Sequence, residues 1–331
     1  MPLVSVIILV WKNSEHLAYC LSALQKQTFS NFDVTVVDNG SPDPTHILSL
    51  CAETFTLPIN VKRLEVNTGF AAGNNFGVRN TNGHWLALLN DDAYPEPNWL
   101  EALVQAAEQN PTYTFFSSRQ IQFSFPHLLD GAGDSLHVSG LAWRRFYNRP
   151  ANSYGLTQME VFSACPAAAL YSRDEFLRAG GFDEDYFSYF EDVDLGFRLR
   201  LNGGKCLYVP TAVVNHVGSA STGKRSDFSV YYGYRNMIWT FFKNMPEPYI
   251  WFLLPLHISV VFFFAAYLTL RGQGRIIWKA VFTALYGLPN VWRKRKAILL
   301  NHKVKPYDVL CSMSAGLLDP LQEFIKRNRV S

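Results

Sequence analysis

Two clusters of acidic residues contain the side chains best suited to catalysis or metal binding. The first, NDD at residues 90–92, directly follows the apolar run 85–89, and the second is DEDYFSYFEDVD at residues 183–194. Adjacent carboxylates repel each other unless a positive charge lies beside them. A divalent cation that carries a phosphorylated ligand supplies such a charge. Asp91 and Asp92 could instead cap the next predicted helix, but a cap needs only one carboxylate, so the pattern favours a metal site.

The second cluster lies at the start of a predicted helix. Glu191, Asp192 and Asp194 fall in its first turn, where the helix dipole favours acidic residues, so ordinary capping explains part of the pattern. A carboxylate at this place can also act as a general base beside a metal site. His216 follows a strand-like segment further along the chain. A lone histidine is usually structural, but a nearby metal site makes it a candidate ligand.

Alternating strands and helices must position these clusters. The predicted strands are Val4–Val10, Val34–Val37, Ile59–Val66, Trp85–Leu89 and Tyr113–Ser118. Continuous apolar runs are typical of strands covered on both faces, and the alternation predicts a doubly wound, parallel sheet flanked by helices. Ligands of such sheets bind beyond the carboxyl ends of the strands, where residues 90–92 lie. Residues 119–160 lack this rhythm, which predicts a functional loop or lid.

Glycines recur every four residues after the third strand, at Gly69, Gly73 and Gly77. A helix packed closely on the sheet explains this spacing but gives no use for Asn67, Asn74 and Asn75. A nicotinamide-binding site needs the pattern GxGxxG after the first strand, and this chain lacks it there. A nucleotide-dependent oxidoreductase is therefore disfavoured.

The composition indicates a folded protein with an unequal charge distribution. Hydrophobic residues make up 48% of the 331 positions and aromatic residues 15%, which is ample for a core. Residues 1–270 contain 18 basic and 24 acidic side chains, and residues 271–331 contain 12 and 3, so the two parts carry net charges of −6 and +9. The basic, aromatic tail favours an anionic lipid surface or a phosphate-bearing partner. The acidic body disfavours nucleic acid.

The cysteines and the N-terminus predict a protein that starts in the cytoplasm. The five cysteines are scattered, and no pair has metal-binding or redox spacing, so we expect free thiols in a reducing compartment. The apolar run at residues 3–10 is too short for a signal peptide and has no basic flank.

The C-terminal region predicts contact with a membrane. Tyr249–Leu270 is a run of 22 residues without a charged side chain, which is long enough to span a bilayer. Pro255 and His257 interrupt this run. A single span would also separate a cytosolic body from the basic segment after Leu270, against the positive-inside rule. We therefore expect helices that lie in the interface or re-enter it, with an oligomerisation face or a helix packed on the core as the alternative.

Five segments, taken together, resemble one family. They are VSVIILVWKNSEHLAYCLSAL, VVDNGSPD, NTGFAAGNN, LLNDDAYPEPNWL, and GGFDEDYFSYFEDVDLGFRLRLNG with NHVGS after it, and they span residues 3–220. In this order they resemble the family 2 glycosyltransferases with a GT-A fold, and within them the rhamnosyltransferase-like branch. The resemblance implies a catalytic domain at residues 1–225 and a membrane-associated helical region at residues 226–331.

The resemblance also implies a nucleotide-sugar donor held at the end of the sheet. Trp11, Asn13 and Asp38 would line the base pocket, where an aspartate can accept the imino N–H of uracil or thymine. The residues that would hold the base and ribose are Asn67, Gly69, Phe70 and Asn74.

Asn90-Asp91-Asp92 occupies the place of the family's DxD-type motif. Asp92 is the expected ligand of Mg²⁺ or Mn²⁺, with Asp91 nearer the ribose or the metal's waters, and His216 matches a further ligand of some members. Asn90 departs from the motif and is expected to contact the donor. Glu191-Asp192 matches the catalytic pair, in which Asp192 is the expected base.

The implied reaction is an inverting transfer of L-rhamnose from dTDP-L-rhamnose to a lipid-linked saccharide, in polysaccharide or cell-wall assembly. Other dTDP-, UDP- or GDP-sugars are alternative donors. We expect the protein at the cytoplasmic face of the cell membrane, peripheral or monotopic, and a homo-oligomer is compatible with this. A non-catalytic adaptor on the same fold is disfavoured because the acidic motif residues are all present. A processive synthase is disfavoured because the sequence lacks several clear membrane spans and a QxxRW-type motif.

Overall fold

The computed structural model describes residues 2–12, 14–53, 55–218, 226–300, 302–316, 318–320 and 322–323. The strands in this part of the chain are β1 (Val4–Val10), β2 (Phe32–Asn39), β3 (Ile59–Leu64), β4 (Trp85–Asn90), β5 (Ala93–Pro95), β6 (Phe115–Gln122), β7 (Phe125–Gly131), β8 (Asp134–Leu136), β9 (Ala142–Arg144), β10 (Met159–Val161), β11 (Ala168–Ser172) and β12 (Cys206–His216). The α-helices are α1 (Ser14–Leu24), α2 (Thr45–Glu53), α3 (Gly69–Arg79), α4 (Trp99–Gln109), α5 (Arg173–Arg178), α6 (Glu191–Leu201), α7 (Asp227–Asn244), α8 (Tyr249–Leu268), α9 (Gly274–Leu300) and α10 (Pro306–Cys311).

A mixed, mostly parallel sheet forms the centre of the fold. Its strand order is β10-β12-β6-β11-β4-β1-β2-β3, with β5 paired to β12 and β7 paired to β6. The strands β3, β2, β1 and β4 are parallel, as the alternation of strands and helices predicts. In β1, Val6 and Ile8 lie in one hydrophobic core with α1 and α4, whereas Ile7 lies in a second core with α3 and α6. The apolar run is thus buried on both faces, and the fold is α/β.

The second half of the sheet departs from strictly parallel pairing. β11 lies between β4 and β6 and is antiparallel to both. Residues 119–160, which the sequence predicts to be irregular, form the end of β6 and strands β7 to β10, and many of them are buried. The prediction of an irregular stretch is wrong for these strands, which are too short for any of them to show a clear period, whereas residues 145–158 contain no strand.

Three consecutive helices, α7 to α9, follow the sheet. α9 packs along α7, and the link between α8 and α9 contains Gly272, whose left-handed backbone (φ 84°) lets the chain turn. Among the described residues, one helical stretch, residues 249–300, contains a segment long and apolar enough to cross a membrane, and only 17% of that segment is buried. The large apolar side chains that α8 leaves exposed include Trp251, Phe252, Phe262 and Phe263.

Candidate active site

A cavity of about 570 Å³ lies at the carboxyl ends of β1, β2 and β4. It is at the edge of the sheet where the sequence places the acidic cluster of residues 90–92. Segments that are distant in the sequence meet here. Residues from β7, β9, β12 and the start of α6 form other parts of the cavity wall. The predicted site residues that line it are Trp11, Asn67, Gly69, Phe70, Asn90, Asp91, Asp92, Glu191, Asp192 and His216.

Asn39, at the end of β2, organises the part of the cavity expected to hold a nucleotide. Its Nδ2 donates hydrogen bonds to Asn67 Oδ1 (3.1 Å) and to the Gly69 carbonyl (3.2 Å), and its Oδ1 accepts from the Thr68 backbone N–H (3.0 Å). Asn67 Oδ1 also accepts from the Gly69 N–H at 2.9 Å. The start of α3 is therefore fixed against β2. Sequence reasoning missed Asn39, although it lies in the quoted segment VVDNGSPD.

Two residues assigned to the donor do not line this cavity. The carboxylate of Asp38 is buried, pairs with Arg63 at 2.7 Å and accepts a hydrogen bond from the Ser41 N–H at 2.9 Å. Asn74 Nδ2 donates to the Phe70 carbonyl one turn earlier in α3 (3.0 Å). The alternation of side chains along a strand separates Asp38 from its neighbour Asn39, which does line the cavity. Asn13 lies outside the described residues, so its role in the base pocket stays a prediction.

The pairing of β12 with β5 brings His216 to Asp92. In this antiparallel register His216 lies opposite Ala93, the residue after Asp92. His216 Nε2 is 3.3 Å from Asp92 Oδ1, and His216 Nδ1 is 2.8 Å from Asp130 Oδ2. Asp130 in turn forms an ion pair with Arg144. Asp130 and Arg144 belong to residues 119–160, in the polar segments DGAGD and WRRFYNR, which were the only sequence signal that could have found them.

Burial and charge give the two adjacent aspartates opposite pKa shifts. Burial, followed by repulsion from Asp92, raises the pKa of Asp91 well above its ordinary value. Burial would also raise the pKa of Asp92, but the hydrogen bond and charge of His216 outweigh it, and the pKa is lowered. Burial acts to lower the pKa of His216, yet Asp130 and Asp92 raise it to about 9. The carboxylates of Asp92 and Asp130, which both contact His216, therefore strongly favour a positive charge between them.

These residues fit a divalent cation whose coordination the ligand completes. No group of three His, Cys, Asp or Glu side chains within the described ranges is arranged as a ready-made metal site. However, Mg²⁺ is commonly held by one or two carboxylates together with substrate phosphates. The buried Nε2 of His216 faces Asp92 Oδ1 at 3.3 Å, while its Nδ1 is oriented by the carboxylate of Asp130, as in many metal-binding histidines.

Glu191 and Asp192, in the first turn of α6, also line the cavity. Burial and the neighbouring charge of Asp192 raise the pKa of Glu191 well above its ordinary value, and its Oε2 has no hydrogen-bond partner among the described residues. Burial also raises the pKa of Asp192, while the Val193 N–H and the charge of Arg144 act against it. A buried carboxylate with a raised pKa at the edge of a cavity is suited to accept a proton.

Asp194 has a different, structural role. It is completely buried, and its oxygens accept hydrogen bonds from Arg198, Asn244 and Lys243. Arg198 and Lys243 keep its pKa below the ordinary value despite its burial. A carboxylate with its oxygens occupied in this way is not available to a substrate.

Residues 5–176, slightly more than half of the chain, match the sequence profile described as glycosyl transferase family 2. Among similar proteins, an uncharacterized glycosyltransferase of Haemophilus influenzae is 33% identical over 113 residues, which cover 34% of this chain and 37% of that protein. The N-acetylglucosaminyl-diphospho-decaprenol L-rhamnosyltransferase of Mycobacterium tuberculosis is 29% identical over 247 residues, covering 66% of this chain and 77% of that protein.

Solved structures share the fold at low sequence identity. GalNAc-T7, crystallised with UDP, GalNAc and Mn²⁺, superposes with a TM-score of 0.61 at 16% identity and covers 75% of this chain and 49% of its own. The mannosyltransferase PcManGT from Pyrobaculum calidifontis, in complex with GDP-Man and Mn²⁺, has a TM-score of 0.52 at 16% identity and covers 94% and 84%. With its GT-A fold and the match over residues 5–176, the chain belongs to glycosyl transferase family 2 and is a glycosyltransferase.

Proposed function

We propose that the protein is a metal-dependent, inverting glycosyltransferase that moves L-rhamnose from dTDP-L-rhamnose to a hydroxyl of a lipid-linked saccharide. One observation carries the proposal. A single cavity contains the Asp92–His216 pair, the start of α3 and the Glu191–Asp192 pair. These are the parts needed for a cation, a nucleotide and a base.

The residues around the start of α3 bind the nucleoside. Asn67 and Gly69 are fixed by Asn39, so their polar groups are in place before the ligand arrives. Phe70 and Trp11 offer apolar surface beside them. Preorganisation of this kind lowers the entropy lost on binding.

Asp92 and His216 would hold the cation, with Asp91 next to them. A bound Mg²⁺ or Mn²⁺ would neutralise the charge that develops on the diphosphate as it leaves. Asp130 fixes the ring of His216 through Nδ1, so that Nε2 stays directed at Asp92.

Asp192 is the general base. It removes the proton of the acceptor hydroxyl while the oxygen attacks the anomeric carbon and the bond to the diphosphate oxygen breaks. Because this is one displacement at one carbon, the configuration there inverts. Glu191 lies beside the base, and because its pKa is raised well above the ordinary value it stays protonated more readily than an ordinary glutamate.

The C-terminal helices give a reason for a lipid-linked acceptor at the cytoplasmic face of the membrane. Phe252 and Phe262 are 75% and 58% exposed, and a soluble monomer rarely exposes a continuous apolar face. The segment after Leu270 in the sequence is rich in basic side chains, which suit anionic headgroups. The relative from Mycobacterium tuberculosis is described by its name as acting on a diphospho-decaprenol sugar. A face between copies of the chain is the alternative.

A thermal-shift screen with dTDP-, UDP- and GDP-sugars, each with and without Mn²⁺, tests the proposal. A ligand that binds only the native state raises the melting temperature. We expect the largest Mn²⁺-dependent shift with dTDP-L-rhamnose, followed by transfer to a polyprenyl-diphosphate sugar. A larger shift with another donor would replace rhamnose. No Mn²⁺-dependent shift with any donor would overturn the function.

A further inference from the structure

The segment before the catalytic pair has an unusual backbone. The aromatic loop, Phe187–Phe190, connects Tyr186 to Glu191, and three of its residues have positive φ: Phe187 (64°), Tyr189 (69°) and Phe190 (67°). Bulky side chains rarely adopt this region, because the Cβ atom approaches the backbone too closely. Such a conformation persists only where the surroundings hold it.

Asn236, on α7, holds the aromatic loop. Its side chain is completely buried, and its Nδ2 donates to the carbonyl oxygens of Tyr186 (3.0 Å), Ser188 (3.0 Å) and Tyr189 (2.7 Å). The neighbouring Arg235 donates from Nη2 to the carbonyls of Asp185 (2.8 Å) and Tyr186 (2.9 Å). Arg235 Nε also donates to Asn236 Oδ1 at 2.8 Å, which fixes the orientation of the amide.

The aromatic loop contacts the start of α3 at one end and leads into Glu191 at the other. All four of its residues line the cavity. The Phe187 carbonyl accepts a hydrogen bond from the Ala71 N–H in α3 (3.2 Å). A Cβ atom on Gly69 would lie 2.5 Å from the same carbonyl oxygen, so the loop touches the start of α3. The Phe187 ring stacks on Tyr232 of α7 with 5.2 Å between centroids.

We infer that Asn236 is a positioning residue for sugar transfer: through the aromatic loop it sets the place of Glu191 and Asp192 relative to the donor. α7 is then a structural part of the active site, and the C-terminal helices do more than attach the protein to a surface. The inference rests on the proposed function for its kinetic consequence. The restraint of the loop itself does not depend on that function.

Two variants of Asn236 separate hydrogen bonding from packing. Asn236→Leu keeps a similar volume and removes every hydrogen bond. Asn236→Asp keeps the oxygen that accepts from Arg235 and loses the donor to the loop. The matched control is Asn75→Leu, because Asn75 is another buried asparagine whose Nδ2 donates to a loop carbonyl, that of Phe182 (2.8 Å), outside the aromatic loop.

Kinetics and hydrogen exchange test the inference independently. We expect kcat to fall about 100-fold in both Asn236 variants, as a misplaced catalytic group would cause, with KM for the donor and Mn²⁺–nucleotide binding little changed. We also expect faster amide exchange at residues 187–192 in these variants. Asn75→Leu should lower the melting temperature without either effect.

The outcomes separate the positioning role of Asn236 from the proposed function. If kcat falls equally in Asn75→Leu, or if exchange at residues 187–192 is unchanged in the Asn236 variants, the positioning role is wrong. If the wild-type protein transfers no sugar, the proposed function fails, and the exchange rates alone decide whether Asn236 restrains the loop. If Asn236→Leu does not fold, Arg235→Lys, which retains the charge but not the paired contacts, provides the same comparison.

Discussion

Lys243 Nζ lies 2.7 Å from Asp194 Oδ1 and 2.6 Å from Asp183 Oδ2, and the Lys243 side chain is only 1% exposed. The pair between Lys243 and Asp194 joins α7 to the first turn of α6, the same turn that contains Glu191 and Asp192. Removing one partner from a buried pair leaves an uncompensated charge. Among the described residues, Asp194 would then keep only Arg198 as a charged partner.

We expect Lys243→Met to lower the free energy of unfolding by about 3 kcal/mol, measured by urea denaturation. Lys294→Met is the matched control, because Lys294 pairs with the same Asp183 but is 32% exposed. Exposed pairs contribute at most about 1 kcal/mol. Equal losses in the two variants would contradict a special role for the buried pair.

The Asp92–His216 pair predicts how the metal is held. His216→Ala and Asp92→Asn should abolish the Mn²⁺-dependent part of nucleotide binding in isothermal titration calorimetry. Asp130→Asn should weaken Mn²⁺ binding roughly 10- to 100-fold, because it removes the carboxylate that orients the His216 ring. Glu96→Gln is the control, since Glu96 contacts Asn215 next to His216 but does not line the cavity. An unchanged Mn²⁺ affinity in Asp130→Asn would exclude the orienting role.

The assignment of the base predicts a separation between rate and binding. Asp192→Asn should lower kcat by about 10²- to 10⁴-fold, the usual contribution of general base catalysis, while the donor affinity stays near that of the wild type. Quenched transfer assays measure kcat, and donor titrations measure the donor affinity. A donor affinity that collapses together with the rate would mean that Asp192 binds the donor instead.

The raised pKa of Asp192 predicts the acid limb of the pH–rate profile. The base must be ionised, so transfer is present above its pKa and is lost as the pH falls through it. Burial raises that pKa and the charge of Arg144 opposes the rise. The midpoint of log(kcat/KM) should therefore lie above the ordinary aspartate range and move to still higher pH in Arg144→Gln. A shift to lower pH would show that another group controls the limb.

The exposed face of α8 predicts membrane binding that depends on apolar contact. Phe252→Ser together with Phe262→Ser should reduce flotation with vesicles that contain anionic lipid, without a change in melting temperature, because both side chains are exposed. Leu177→Ser, which removes an apolar side chain that is 51% exposed on α5, is the control. Complete release from vesicles by high salt alone would point to a purely electrostatic attachment.

The sequence predicts the parallel half of the fold well because its signals are local. Residues 4–10 and 85–89 are largely apolar runs with polar residues shortly after each, and such runs determine both a strand and the approximate position of its end. The sequence predicts the end of the third strand at Val66, two residues beyond Leu64, which is the usual precision of a boundary read from a pattern.

Long-range pairing explains what the sequence could not provide. Asp130 approaches His216 across 86 positions, and Asn236 approaches Tyr189 across 47, through strand register and helix packing that no local pattern records. Asp38 and Asn39 are adjacent polar residues at the end of one strand. Only the direction of each side chain decides which of them faces the cavity, and that depends on the pleat of the folded sheet.

The placement of β11 between β4 and β6 has a consequence for synthesis on the ribosome. β6 leaves the ribosome before β11, yet in the described part of the chain β11 is the strand that joins β6 to the parallel half of the sheet. The strands β1 to β4 can associate as soon as they emerge, while β4 and β6 each keep an unpaired edge until residues 168–172 arrive, and the other edge of β6 waits for β12. Exposed strand edges promote misassociation, so the nascent chain is open to incorrect strand pairing during this interval.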